Sequence, residues 1–263
     1  MQTLFITGNH LRHIFLVKKF TKYFRNFSWI MEKRDININH NKLTKNQIYL
    51  KHINDFKKQE ILFFRKSKNF TKQKKNKPII VSRKKTNSYV FNQLILKEIN
   101  RTEPKVIFSY GCRKIDINTF KNKKIKSFNI HGGLLPKYRG VNTNFWPHIN
   151  NDSNQIGITM HNLSDKIDSG NIFFQESVNI KKKDTINTLS CKAIEKFCNT
   201  KTKKIFLFLS KKNKSKGIRF KTSFKVWKKK DFKPKYIKIA YKKFEEFKKN
   251  NIKDTNIKLI NIF

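Results

Sequence analysis

Short apolar runs that alternate with stretches of helical spacing constrain this chain more than any other feature. Thr3–Thr7, Pro78–Val81 and Val106–Phe108 are too short for core helices and show no polar alternation, the pattern of strands covered on both faces. Ile125–Ile130 follows as the next strand. After a Gly8-Asn9 turn, Leu11, Ile14, Phe15 and Val17 recur at helical spacing as far as Tyr23. Val90, Leu94, Ile95 and Ile99 form one face of a helix over Tyr89–Ile99, closed by Arg101-Thr-Glu-Pro104. Strands alternating with helices imply an α/β fold with a parallel sheet and right-handed crossovers. Further strands are expected at Ile156–His161 and Ile172–Val178, and a helix over Thr185–Cys198 that buries Leu189, Ala193 and Phe197.

Two stretches resist this reading. Residues 32–77 are rich in Lys and Asn, with scattered aromatics such as Phe56, Phe63 and Phe64, and have no settled secondary structure. Lys201–Lys216 mixes basic residues with Ile205-Phe-Leu-Phe-Leu209 and is expected to finish the domain. Residues 1–210 then form one α/β domain. Residues 211–263 form a short basic extension, with a β-like piece over Gly217–Trp227 and an amphipathic helix over Pro234–Phe247. At about fifty residues the extension is too small for a core of its own.

The chain has 263 residues and a formal charge of +44. Such a charge suits nucleic acid or an anionic surface. Lys, Asn, Ile and Phe crowd the sequence while alanine occurs only at Ala193 and Ala240, so drift in an A/T-biased coding sequence explains the charge equally well. With 37% hydrophobic residues interleaved among the basic ones, the chain is expected to fold. No apolar run reaches the ~18–20 residues of a spanning helix. Met1–Gly8 is too short for a signal-peptide core, so a cytoplasmic protein without membrane contact is expected. Cys112, Cys191 and Cys198 contain no C-x-x-C and suggest a reducing compartment; Cys191 and Cys198, seven apart, are expected to be buried hydrophobes rather than metal ligands.

Chemistry concentrates between Ser127 and Gln175. Asn129 and His131 stand two apart at a strand end and so share a face. Gly132-Gly133 allows a sharp turn there, at the sheet edge where α/β folds bind ligands. The turn sequence Asp168-Ser-Gly170 would present a carboxylate from a later loop. An amide, an imidazole and a carboxylate form a set for acyl transfer: one group to stabilise an oxyanion and two to move a proton. Each alone is commonly structural; in this order, with Leu134-Leu-Pro136 and Tyr138-Arg-Gly140 between them, they form a pattern.

That pattern resembles the 10-formyltetrahydrofolate-dependent formyltransferases, which include the glycinamide ribonucleotide, methionyl-tRNA and amino-sugar enzymes. It covers Leu4–Phe208 in outline and Ser127–Gln175 in detail, with Gly132 standing where many members have proline. The resemblance implies a Rossmann-like domain with a mostly parallel twisted sheet. It also implies Asn129, His131 and Asp168 as catalytic residues, with His161 as a second histidine beside the aspartate. The folate co-substrate is then expected against Ser109, Tyr110, Gly111, Asp165 and Asp168, and the acceptor against Arg139, Phe145 and Trp146. No metal is required.

Three acceptors compete. The tRNA enzymes add a β-barrel of roughly a hundred residues, about twice this extension. Asn144-Phe-Trp146 is similar to the stretch that amino-sugar enzymes carry at that place, so a sugar nucleotide is favoured, with a homodimer allowed. The charge suits tRNA. Glycinamide ribonucleotide would not call for the extension. A non-enzymatic RNA-binding module on this scaffold would be expected to lose Asn129, His131 or Asp168, and all three are present.

Overall fold

The computed structural model describes residues 1–34, 46–211, 215–251, 259 and 261. In chain order the elements are β1 (Thr3–Gly8), α1 (Leu11–Phe20), β2 (Phe27–Lys33), α2 (Gln47–Phe64), β3 (Ile79–Ser82), α3 (Ser88–Thr102), β4 (Val106–Tyr110), β5 (Lys126–His131), β6 (Arg139–Gly140), α4 (Trp146–Ile149), β7 (Gly157–Asn162), β8 (Ile172–Ser177), α5 (Ile186–Ser210), β9 (Val226–Trp227) and α6 (Pro234–Asn251). Seven strands form one sheet in the order β3-β2-β1-β4-β5-β7-β8. The first five are parallel; β7 and β8 are antiparallel additions at one edge. The chain winds outward from β1 to β3 and returns through β4, so the order reverses between β1 and β4. A crevice opens at such a reversal.

Each face of the sheet has its own core. On one face, Phe5, Phe20, Phe24, Phe108 and Phe128 pack with α1, α2 and α5; on the other, Leu4, Ile6, Ile30 and Ile107 pack with Phe91, Ile95 and Ile99 of α3. Cys191 and Cys198 are buried in the first core. Strand β1 is buried along its whole length, which explains its unbroken apolar sequence.

The unsettled stretch contains the end of β2, helix α2 and two 3₁₀ turns over Arg65–Lys72 and Lys74–Asn76, and residues 35–45 within it lie outside the described ones. Its N-terminal end holds the end of β2, whose Trp29, Ile30 and Met31 are buried in the sheet interior. Helix α2 escapes its hydrophobic pattern because two of its four buried residues, His52 and Glu60, are polar; Glu60 receives both the Arg12 guanidinium at 2.9 Å and its backbone N–H at 3.1 Å. Helix α5 continues past Cys198 to Ser210, through Lys201, which is buried against Glu176 at 3.3 Å. Of the stretch expected to finish the domain, residues 212–214 lie outside the described ones. The C-terminal segment packs on the first core: Phe232, Ile237, Ala240 and Phe244 join it, and β9 pairs with β6. Among the described residues, no helix is long and apolar enough to cross a membrane.

Candidate active site

Strand alternation and antiparallel pairing assemble the site. Asn129 and His131 share one face of β5, and β7 pairs so that Asn129 stands opposite His161. Asp168 lies on the β7–β8 loop with φ of 45°, a left-handed conformation in which a non-glycine residue needs support. Two carbonyl contacts from Arg139 provide it. Its Nε donates to the Asp168 carbonyl at 3.0 Å and its Nη2 to the Ile167 carbonyl at 2.5 Å, while Nη1 reaches Thr222 of the C-terminal segment at 3.2 Å. The Gly140 N–H meets the Asp168 carboxylate Oδ2 at 2.7 Å. The Asp168 loop and the C-terminal segment are thereby tied to one buried arginine.

The carboxylate faces three side chains. His131 Nδ1 is 3.4 Å from Oδ2, His161 Nε2 is 3.5 Å from Oδ1, and Asn129 Nδ2 donates to Oδ1 at 3.3 Å. Asn129 Nδ2 also lies 3.2 Å from His161 Nε2, and its Oδ1 accepts from the Ser109 hydroxyl at 2.9 Å. Ser109 therefore turns the amide so that its N–H groups face Asp168 and His161.

Carbonyl partners fix both imidazole tautomers, because a carbonyl only accepts. His131 Nε2 lies 2.7 Å from the Tyr138 carbonyl and His161 Nδ1 lies 2.7 Å from the Asn162 carbonyl, so those nitrogens carry the hydrogens. In neutral His131, Nδ1 is then a lone pair beside a carboxylate. Burial lowers the His131 pKa, against the pull of Asp168, which favours the neutral ring. Burial pushes the Asp168 carboxyl upward, but His131 and His161, whenever either imidazole carries a second proton, and the Gly140 N–H outweigh it and hold the group below the usual carboxylate range. The pair therefore has room for one more proton, on Nδ1, where the resulting imidazolium would sit against the carboxylate.

These groups line a cleft of about 1100 Å³. Of the residues expected to bind the folate, Ser109, Tyr110, Gly111 and Asp168 lie on its wall. The Tyr110 ring packs edge-on against His13, with centroids 4.6 Å apart, and His13 lines the same cleft. Asp165 is exposed and does not reach the wall, which Ser164, Lys166 and Ile167 form instead.

The acceptor set needs two corrections. Arg139 is buried, gives three of its donors to carbonyls and does not line the cleft, so it supports the Asp168 loop rather than facing a substrate. Trp146 is 0% exposed; it stacks on Trp227 at 4.0 Å and donates Nε1 to the Val141 carbonyl. A fully covered ring cannot pack on a ligand. Phe145 does face the cleft, and Trp227, Phe232 and His52 join it there.

Sequence reasoning did not single out those last three. The alternating basic and apolar residues of 217–232 hide Trp227 and Phe232, and His52 sits in the helix whose stripe is broken. A tryptophan and a phenylalanine among lysines, after the main domain, were the available signal.

A family model described as Formyl transferase matches residues 60–200, more than half of the chain. Over 92 residues the chain is 42% identical to the bifunctional polymyxin resistance protein ArnA of Wigglesworthia glossinidia brevipalpis, covering 35% of this chain and 14% of that protein. It is 33% identical over 120 residues to the methionyl-tRNA formyltransferase of Lactobacillus acidophilus, covering 46% of this chain and 37% of the relative. The chain thus spans well under half the length of these curated relatives. The N-formyltransferase of Helicobacter canadensis, solved with folinic acid and dTDP-3-aminofucose, superposes with a TM-score of 0.54 at 20% identity, over 89% of this chain and 73% of that one. At that identity the likeness concerns the fold.

Proposed function

The chain belongs to the formyl transferase family, and from that premise we propose that it moves a formyl group from 10-formyltetrahydrofolate to a primary amine on a sugar nucleotide. The observation that carries this reading is the meeting of Asn129, His131 and Asp168 in one cleft, with a place for a single proton between the last two.

The cleft suits a folate. Ser109–Ile115, with Leu163, Ser164, Lys166 and Ile167, line part of it, and Ile115 and Leu163 belong to the same apolar cluster. They give a flat heterocycle an apolar support beside backbone polar groups. The folate would supply the formyl carbon. Against it, His131 Nδ1 takes the proton that the attacking amine releases, Asp168 stabilises the imidazolium so formed, and the imidazolium gives that proton to the folate N10 as the bond from N10 to the formyl carbon breaks. Asn129 donates from Nδ2, now engaged only in contacts of 3.2 and 3.3 Å; a developing oxyanion is a stronger acceptor and draws a shorter bond. Ser109 keeps the amide turned for this, and Arg139 with Gly140 keeps Asp168 in place.

A sugar nucleotide is favoured because the described part of the C-terminal segment is a short strand and a helix packed on the core, and because the wall that includes Phe145, Trp227 and Phe232 offers aromatic surface for a sugar ring. The +44 charge and the methionyl-tRNA formyltransferase relative support the second reading, a charged tRNA. Incubation with 10-formyltetrahydrofolate and either dTDP-3-aminofucose or methionyl-tRNA, following tetrahydrofolate release, tests both. Turnover with the sugar nucleotide is expected. Turnover with methionyl-tRNA alone would replace the acceptor, and release with no amine tested would overturn formyl transfer.

A further inference from the structure

On the acceptor side of the cleft, α2, α5 and α6 meet at three polar side chains that the catalytic centre does not use. Asn187 of α5 donates from Nδ2 to the Tyr241 hydroxyl of α6 at 3.3 Å, and that hydroxyl lies 3.2 Å from His52 Nδ1 on α2. Tyr241 already receives an N–H, and its own hydrogen has no other acceptor among the described residues, so it is donated to Nδ1. A neutral imidazole that accepts at Nδ1 carries its hydrogen at Nε2. The ring stays neutral because burial pushes its pKa down to about 4, against the opposing charge of Asp55.

His52 lies on the cleft wall, with its ring 5.6 Å from Phe145 and 5.7 Å from Phe232. It is 8% exposed. Among the described residues no group accepts from Nε2, and Nε2 is not one of the sealed, unpartnered polar atoms. A donor on a buried residue that faces only a cleft is open to whatever enters the cleft, water or a ligand.

The side of the sheet identifies the ligand. Ile115 and Leu163, behind the loops assigned to the folate, belong to the α3 core; Tyr49, Phe145 and Phe232, around His52, belong to the opposite core. We propose that His52 determines acceptor specificity, its Nε2–H donating to an oxygen of the acceptor's sugar while Tyr241 and Asn187 fix the tautomer. This rests on the reading of the acceptor as an amino-sugar nucleotide. An acceptor lacking that oxygen would leave the N–H unpaired, and such sites discriminate strongly.

The test combines imidazole nitrogen spectra with kinetics on the whole chain. The wild-type spectrum should show His52 protonated at Nε2. Saturation with dTDP-3-aminofucose should shift that resonance, and tetrahydrofolate should not. His52→Ala should raise the acceptor KM about tenfold, the worth of one good neutral hydrogen bond, with the 10-formyltetrahydrofolate KM unchanged. His52→Gln, which keeps an N–H, should recover part of the loss. Tyr241→Phe, altered behind the wall, should change the tautomer and raise only the acceptor KM. An Nδ1–H tautomer in the wild type, a resonance indifferent to the acceptor, or an unchanged acceptor KM in His52→Gln and Tyr241→Phe would overturn the assignment. A wild type that formylates no amino-sugar nucleotide would instead overturn the reading on which it rests.

Discussion

Two buried carboxylates stand at the same rim of the sheet and are held in opposite ways. Glu32, at the end of β2, is 0% exposed and ringed by guanidinium groups. Arg113 donates to it from Nε and, at 3.0 Å, from its backbone; Arg83 lies at 3.3 Å and Arg34 at 3.9 Å. Arginine does not give up its proton, so the positive charges around this carboxylate are permanent. Asp168 has two imidazoles and an amide, all at 3.3 Å or longer, and one close backbone N–H, that of Gly140 at 2.7 Å. The difference teaches that saturation by fixed charge makes a strut, whereas loose neighbours that can be neutral leave room for a proton to arrive.

Substitution separates the strut from the reactive carboxylate. Asp168→Asn keeps the shape and removes the charge, and His131→Ala removes the proton acceptor; each is expected to lower kcat by ~10²–10⁴ with a near-normal melting temperature. Their double variant is expected to lose little more than either alone. Glu32→Gln is expected to do the reverse. Leaving three guanidinium groups around an uncharged amide should cost about 3–5 kcal/mol of stability by denaturant titration, with kcat retained in the folded fraction. Near-normal turnover in Asp168→Asn, or a stable and inactive Glu32→Gln, would break the contrast.

Gly140 gives a smaller and mixed effect. Its φ is 98°, and an added Cβ would meet the Trp227 carbonyl at 2.1 Å, so Gly140→Ala must part β6 from β9. A loss of ~1–3 kcal/mol is expected, together with reduced kcat, since the same residue's N–H holds Asp168. Retention of full activity would show that this brace is dispensable.

Acid stability gives a further test, graded with pH. Burial lowers the pKa of His52 to about 4 and of His10 and His148 to about 3, and also lowers those of His13 and His131. With folded values below the unfolded ~6.5, the unfolded chain binds more protons in the interval, so stability is complete above ~6.5 and falls as pH drops through it. His52 alone accounts for about 1.4 kcal/mol per pH unit there, or ~2–4 °C in Tm. A Tm constant from pH 7 to 5 would contradict the burial of these rings.

Much of this was legible in the residues. Uninterrupted apolar runs announced β1 and β4, and the Asn129-x-His131 spacing with the Asp168 turn announced the groups that meet in the cleft. What stayed hidden involved long-range pairing of polar groups. Glu60 and His52 broke the stripe of α2 because Arg12 and Tyr241, far away in sequence, satisfy them. Arg139 carries the chemistry of an anion binder and spends it on carbonyls, which no local pattern reveals. Trp146 and Trp227 are both aromatic residues near the cleft, and only the packing decides which one is sealed and which lines the wall.

The claim that Asp168 and a neutral His131 wait for one proton is tested most directly by the pH dependence of kcat/KM for the acceptor, from about pH 5.5 to about pH 9. If burial keeps His131 neutral throughout, the profile rises along a single limb as the acceptor amine loses its proton, then levels off. A bell whose descending limb falls between about pH 6 and about pH 8 would mean that the imidazolium is the working form, and would contradict the account.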